Sequence, residues 1–247
     1  MFGKLRAALR MGTVSLSIIC FLGGYYISSP ILGRNQKRGF RLRRNWCKFV
    51  MFAMGIKCEM TGNPIPDEKP ILYVCNHRSF TDPIIVCKYI EAFAISKAEV
   101  SKYPLISTGA EETGVIYVQR DNRKSRSATR EAIEKSMEVG KNILIYPEGT
   151  TGEQEFTKAF KRGSFDVAAA GGFAVVPVTL EYRDKEKDYW FQRGLKTQMY
   201  RQYSKARTYT KIHFGEPIKS DDGQELVEMA EASMKEQIGR MHREWQE

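Results

Sequence analysis

His77 and Asp82 stand in the segment Asn76-His77-Arg78-Ser79-Phe80-Thr81-Asp82-Pro83. A neutral imidazole takes a proton from a hydroxyl near pH 7, and a carboxylate on its other nitrogen fixes the tautomer and stabilises the imidazolium. Such a pair suits general-base activation of an alcohol. A turn between the two, with Asp82-Pro83 opening a helix, lets the carboxylate fold back towards the ring. Asp82 equally fits a helix N-cap, and one residue can serve both purposes. His213 and His242 are isolated, with no cysteine or carboxylate cluster at ligand spacing, so no metal site is expected.

The elements that must hold this pair follow from the apolar runs around it. Ile71-Leu72-Tyr73-Val74-Cys75 precedes the loop, and similar runs occupy 93–96, 115–119, 142–146 and 174–182. Their length, β-branching and flanking breakers predict strands. The segments 82–91, 99–107, 124–139 and 164–171 read as helices, the third with Ala128, Ile133 and Met137 at helical spacing. A last strand is expected over 208–215, and a closing helix from Gln224 to Trp245. Strand–helix alternation predicts an α/β domain, with a mixed, largely parallel sheet covered by helices. Such sheets carry ligand chemistry in loops beyond the carboxyl ends of their strands. Three of the expected strands end in polar loops, at Asn76–Pro83, at Arg120-Asp121 and at Pro147-Glu148-Gly149-Thr150-Thr151-Gly152.

Taken in order, NHRSFTDP (76–83), AISK (94–97), GVIYVQR (114–120), YPEGTTG (146–152) and VVPV (175–178) resemble the motifs of the glycerophospholipid acyltransferase family, of the lysophosphatidate acyltransferase type. The resemblance covers about residues 45–215. It implies that His77 is the general base for the acceptor hydroxyl and that Asp82 orients it. The alkoxide would attack an acyl thioester directly, with no acyl-enzyme. In keeping with this, the chain has no G-x-S-x-G nucleophile elbow. By the same resemblance Lys97 would lie near the reacting thioester. Arg120 would bind the acceptor's phosphate, a task that suits a guanidinium. Glu148, Gly149, Thr150 and Thr151 would form the acceptor-binding loop. No cofactor is implied, and acyl-ACP or acyl-CoA would be the co-substrate.

One departure bears on the acceptor. The family's third motif commonly reads P-E-G-T-R, and Thr151 stands in the arginine's place. Lys158, Lys161 and Arg162, in the KAFKRGSF stretch that follows, are the cations expected to compensate. The E-G-T-T-G form also resembles the branch that includes lyso-ornithine-lipid acyltransferases. The implied reaction is therefore acylation of a lysolipid hydroxyl, with 1-acyl-glycerol-3-phosphate as the first acceptor and lyso-ornithine lipid as the alternative.

Charge separates the chain into two parts. Residues 1–66 hold eleven Lys or Arg and one acid, Glu59, whereas residues 67–247 hold 28 basic and 28 acidic side chains. A nucleic-acid-binding domain would carry its excess charge on the folded body, so that class is excluded. A basic arm beside an apolar segment instead suits anionic lipid headgroups. Met11 to Gly33 is a run of 23 residues without a charge, and roughly 20 apolar residues cross a bilayer core. Gly23-Gly24, Ser28-Ser29 and Pro30 weaken its second half, leaving a tilted span, a kinked span or a dip into one leaflet. Phe49–Ile56 is too short to span and reads as an interfacial helix or a packing element. Residues 1–60 are thus expected to be a membrane anchor with a basic linker, and 61–247 the acyltransferase domain. Seven basic residues from Arg34 to Lys48 against three before the apolar run place the body on the cytoplasmic face by the positive-inside rule. The five cysteines include no C-x-x-C pair and lie in hydrophobic surroundings, as reduced thiols do.

The expected partners are the bilayer, a lysolipid acceptor and an acyl thioester, with no nucleic acid. A catalytically silent lipid-binding protein of the same fold is the reading from another class, and the intact pair and P-E-G-T loop count against it. Replacing His77 by alanine should lower acyl transfer by about 10²–10⁴-fold and leave folding near normal. Turnover of the purified variant above half that of the parent would overturn its role as base.

Overall fold

The computed structural model describes residues 2–98, 101, 110–119, 123–190 and 194–247. The strands are β1 (Ile56–Gly62), β2 (Ile71–Cys75), β3 (Phe93–Lys97), β4 (Val115–Val118), β5 (Ile143–Ile145), β6 (Ala174–Tyr182) and β7 (Thr208–Phe214). The helices are α1 (Phe2–Leu32), α2 (Gln36–Met54), α3 (Asp82–Val86), α4 (Ala110–Thr113), α5 (Arg123–Glu138), α6 (Gly163–Ala170), α7 (Lys185–Asp188), α8 (Leu195–Ser204) and α9 (Gly223–Glu244). The strands form one sheet in the order β1-β7-β6-β2-β5-β3-β4, parallel throughout except between β6 and β7. The mixed, largely parallel α/β architecture expected from the alternation is the one observed.

β2 and β6 are buried on both faces, which is why they read as continuous apolar runs. Their alternation divides the core. Ile71, Tyr73, Cys75, Val176, Val178, Leu180 and Tyr182 face α2, α3 and the Tyr203 end of α8, whereas Leu72, Val74 and Val175 face α5, α6 and α9. β5 returns between β2 and β3, and the chain then crosses to place β6 on the other side of β2. The carboxyl ends of β2 through β6 consequently share one edge, with the connections leaving β2 in both directions.

Several expectations shift at the element boundaries. The helix expected over 82–91 stops at Val86. Lys88 and Tyr89 there donate to Ile85 and Val86 in tight turns, and the Ile90 carbonyl is taken by Arg43 instead of a following helical turn. The helix expected over 99–107 lies outside the described residues, apart from position 101. α8 and β1 had no clear pattern in the sequence. The apolar stretch 49–56 is split by Gly55, whose φ of +70° ends α2 with its N–H towards Met51 and Phe52. Ile56 then begins β1, which runs across position 60 in register with β7.

The basic segment after Gly33 forms a helix that packs on the sheet. Cys47, Val50, Met51 and Met54 of α2 enter the core. Arg43 is buried and donates to the carbonyls of Ile90, Ala92 and Thr113 at 3.1, 2.8 and 2.8 Å. A side chain at Gly39 would collide with the backbone of Glu112, so glycine there permits the close approach of α2 to α4.

α1 is continuous through Leu32, although Pro30 lies within it. Its last turn is satisfied from α2: Arg38 donates to the carbonyls of Gly33 and Tyr25, at 2.6 and 3.1 Å, and to the hydroxyls of Ser28 and Ser29. At the other end Arg6 and Arg10 donate to the carbonyls of Tyr203 and Ser204 in the last turn of α8 and of Lys205 and Ala206 just beyond it. Cations there meet the negative end of that helix dipole. One face of α1 therefore packs on the body through Ala7, Met11, Val14 and Ser17. The opposite face exposes Leu5, Leu9, Leu16, Ile19, Ile27 and Ile31, the last two at 82% and 88%. At 31 residues α1 is long and apolar enough to cross a membrane, and its uncovered aliphatic face suits anchoring to one. Replacing Leu16, Ile19 and Ile27 together by serine should weaken co-sedimentation with phospholipid vesicles at least about tenfold, since burying each such side chain contributes roughly 1.5–3 kcal/mol. The far-ultraviolet circular dichroism spectrum should not change.

Candidate active site

The loop after β2 is organised around the Asp82 carboxylate, which has no exposed surface. Oδ2 accepts from His77 Nδ1 at 2.7 Å and from the backbone N–H groups of Arg78 and Ser79 at 2.6 and 2.8 Å. Oδ1 accepts from the Tyr182 hydroxyl at 2.6 Å. Asp82 is the first residue of α3, and Thr81 is its cap. Its side chain bonds backwards into the loop, so the N-cap reading of Asp82 gives way to the orienting one. With Nδ1 donating to Asp82, the His77 tautomer leaves Nε2 as an acceptor. Among the described residues Nε2 has no hydrogen-bond partner, and the side chain keeps 20% of its surface exposed.

The imidazole is fixed from three further directions. Its ring stacks on Tyr146, the last residue before the P-E-G-T loop, with centroids 4.3 Å apart. The His77 N–H donates to Glu148 Oε1 at 2.7 Å, and the His77 carbonyl accepts from the Gly152 N–H at 3.1 Å. Register explains this adjacency: β5 is the neighbour of β2, with Val74 opposite Ile145. Glu148 is buried, and its second oxygen accepts from the Lys158 N–H at 3.0 Å. Burial raises its pKa, against the two backbone donors and the nearby Arg78 and His77. Its carboxylate thus braces two loops against each other.

The rest of the expected loop divides by exposure. Gly149 has φ +75° and lies beneath Lys161, whose amino group an added Cβ would meet. Thr150 is exposed and Thr151 half-buried, with its carbonyl accepting from Lys158 Nζ at 2.8 Å. Of the three cations expected to compensate at position 151, Arg162 is engaged with Asp166 and Asp222, at 2.5 and 3.3 Å, and Lys158 is tied to the loop. Lys161 is the one that lies across the loop itself. Lys97 is the last residue of β3, with its backbone opposite Val118. Arg120 lies outside the described residues, two positions beyond the end of β4. The strand order thus sets the chain positions at 77, 148 and 97 after successive neighbours β2, β5 and β3, with β4 beyond them.

A second buried network, centred on Arg78 and Glu181, adjoins the first and had no signature in the sequence pattern. Arg78 has no exposed surface; its Nε and Nη2 reach Glu181 Oε1 at 2.7 and 2.6 Å, and its Nη1 donates to the Gln154 carbonyl at 2.9 Å. Burial acts to lower the Arg78 pKa, and Glu181 overcomes it, so the guanidinium stays charged. Tyr189 donates to the other Glu181 oxygen. Asn76 spans to β6 by exchanging hydrogen bonds with Leu180, at 2.9 and 2.7 Å.

Alanine at position 82 would do more than release the imidazole. It would strand three donors, from Arg78, Ser79 and Tyr182, at roughly 1–3 kcal/mol each when buried, so Asp82→Asn is the milder probe. Removing Glu181 should be costly for a related reason. Glu181→Leu leaves a buried guanidinium without its counter-ion and should destabilise the protein by about 3–5 kcal/mol. Urea unfolding monitored by circular dichroism measures this. The doubly replaced Arg78→Met, Glu181→Leu protein should recover much of the loss.

The chain can now be set beside known proteins. The Acyltransferase family profile matches residues 57–181. A lyso-ornithine lipid O-acyltransferase of Pseudomonas aeruginosa is 30% identical over 202 residues, which cover 79% of this chain and 77% of that protein. A 1-acyl-sn-glycerol-3-phosphate acyltransferase of Borreliella burgdorferi is 32% identical over 147 residues, 57% of this chain and 58% of that one. The crystal structure of the 1-acyl-sn-glycerophosphate acyltransferase PlsC from Thermotoga maritima superposes with a TM-score of 0.66 at 19% identity, covering 96% of this chain and 98% of that one, and shares the fold. With its motifs in place on that fold, and with the family profile and a 30%-identical relative each spanning most of its sheet, the chain belongs to the glycerophospholipid acyltransferase family.

Proposed function

We propose that this protein transfers a fatty acyl group from a thioester of acyl-carrier protein or coenzyme A to the free hydroxyl of a lysolipid. The observation that carries the reading is the His77–Asp82 pair, bonded through Nδ1 at 2.7 Å, with Nε2 unpartnered among the described residues. In this scheme Nε2 takes the acceptor's hydroxyl proton as its oxygen attacks the thioester carbonyl. The carbon–sulfur bond breaks, and the departing thiolate takes up the proton from His77. Asp82 holds the imidazole in the required tautomer and stabilises its protonated form. Lys97 stands near the thioester, and Arg120 with the loop Glu148–Thr151 receives the acceptor headgroup. The P-E-G-T loop packed against His77 supports this placement, since one rigid edge carries both the base and the acceptor loop.

The bilayer is the partner that delivers the acceptor, through the aliphatic face of α1. The basic residues of α2 favour the cytoplasmic leaflet, which puts the catalytic edge on that side. Two acceptors fit. 1-Acyl-glycerol-3-phosphate is the reading favoured by Arg120, and its product is phosphatidic acid. Lyso-ornithine lipid is favoured by Thr151, which stands where the family commonly has an arginine, and by the pairing of Arg162 with Asp166 and Asp222 away from the loop.

An acceptor panel with purified full-length protein in detergent, offering both lysolipids and both donors, tests the activity. No transfer to any lysolipid would reject it. Thr151→Arg separates the acceptors. It should preserve or improve use of lysophosphatidate, a charge-assisted bond being worth roughly 1.5–3 kcal/mol, and impair use of lyso-ornithine lipid. Equal effects on both would mean that position 151 does not face the headgroup.

A further inference from the structure

Tyr182 is the one side chain from outside the His77 loop that bonds directly to Asp82 among the described residues. It comes from the last position of β6, a hundred residues along the chain. A phenol has a single proton, and the 2.6 Å bond commits it to Asp82 Oδ1. The 2.8 Å contact between the Tyr182 and Thr81 hydroxyls must then run from Thr81 to Tyr182. Gln202 Nε2 of α8 in turn donates to Thr81 Oγ1 at 3.3 Å. The hydrogen bonds therefore point one way, Gln202 to Thr81 to Tyr182 to Asp82, and the carboxylate receives His77 from its other side. Each donor in such a chain polarises the next. Of these five groups all but His77 are fully or almost fully buried, so water does not substitute for them.

We propose that Tyr182 is a positioning residue that sets the basicity of His77 through Asp82, with Thr81 and Gln202 supporting it. This rests on His77 being the base, as proposed above. By drawing on Oδ1, the phenol disperses the carboxylate's charge and weakens its hold on a protonated imidazole. His77 is then kept neutral, and able to accept a proton, at lower pH. Without the phenol, Asp82 would bind the imidazolium more tightly, and His77 would stay protonated to higher pH.

Other ionisable groups border the network. Burial pushes the Cys75 and Cys87 thiols and the Tyr146 and Tyr189 phenols up, away from neutral pH. Burial likewise raises Glu148, beside the His77 N–H. Arg78 stays charged. Asp188 of α7 is raised by burial to about 6, against its partner Lys205, and is the neighbouring carboxyl that the test must control for.

The test is the pH dependence of kcat/KM for lysolipid acylation by the full chain. In Tyr182→Phe the acid limb should move up by about 0.5–1 pH unit, a fraction of what a hydrogen bond to a charged group is worth. KM for the lysolipid should change little. Thr81→Val, which keeps the phenol but removes its donor, should move the limb in the same direction by less. Asp188→Asn should leave the limb in place, and a shift equal to that of Tyr182→Phe would assign the limb to Asp188 and overturn the proposal. A uniform loss of activity with an unmoved limb in Tyr182→Phe would also overturn it, leaving a purely structural residue. His77→Ala, assayed alongside, keeps the two ideas apart. If it retains activity, the base assignment fails; if it is inactive and the Tyr182→Phe limb is unmoved, only the role of Tyr182 fails.

Discussion

A carboxylate with no access to water must be compensated by the protein around it, and Asp82 imposes that requirement on much of this fold. Its donors come from His77, from two successive backbone amides of the same loop and from the end of β6. Each fixes a different coordinate. The amides curl the loop after β2, the imidazole is held in one tautomer, and the phenol ties the loop to a strand on the neighbouring side of β2. The loop cannot relax without leaving charge or donors unsatisfied in the interior, and that rigidity is what a general base needs.

The alternation of a β-strand lets one segment serve both faces of this loop. Successive residues of β6 point to opposite sides of the sheet, so Tyr182 reaches Asp82 while Glu181 reaches Arg78. Successive residues after β2 divide in the same way, His77 towards one side and Arg78 towards the other. The buried ion pair and the His77–Asp82 pair are thus two ends of one clamp. Glu148 closes it from the β5 side through the His77 and Lys158 amides.

The N-terminal helices are part of this framework, and α1 also carries an uncovered aliphatic face that suits a membrane. α2 supplies core side chains and the Arg43 guanidinium, and α1 lies across the carboxyl end of α8, the helix that brings Gln202 to Thr81. The aliphatic face of α1 and the His77 site therefore stand on connected elements, and the structure orients the one relative to the other. A basic linker would not do this. The charge that marks residues 34–48 is carried on a helix whose other side is apolar, and a count of charges alone does not distinguish the two.

Local patterns in the sequence determined a good deal. The β-branched runs gave the central strands, the periodic stretches gave α5, α6 and α9, and the five-residue spacing from His77 to Asp82 brought together groups separated by a single turn. The uncharged run with its flanking positive charge marked the long apolar helix α1. Tertiary structure decided the rest. β1 was illegible because its pairing with β7 lies about 150 residues away, and α8 because its position depends on α1. Thr81 read as an ordinary loop residue, and Glu181 and Tyr182 as the tail of an apolar strand. Their importance comes from partners about a hundred residues distant. Hydrogen bonds of that separation leave no periodicity in the chain, because the sheet, not the sequence interval, sets which side chains meet. The sequence names His77 and Asp82 as candidates, and only the folded sheet supplies the buried donors that hold them in place.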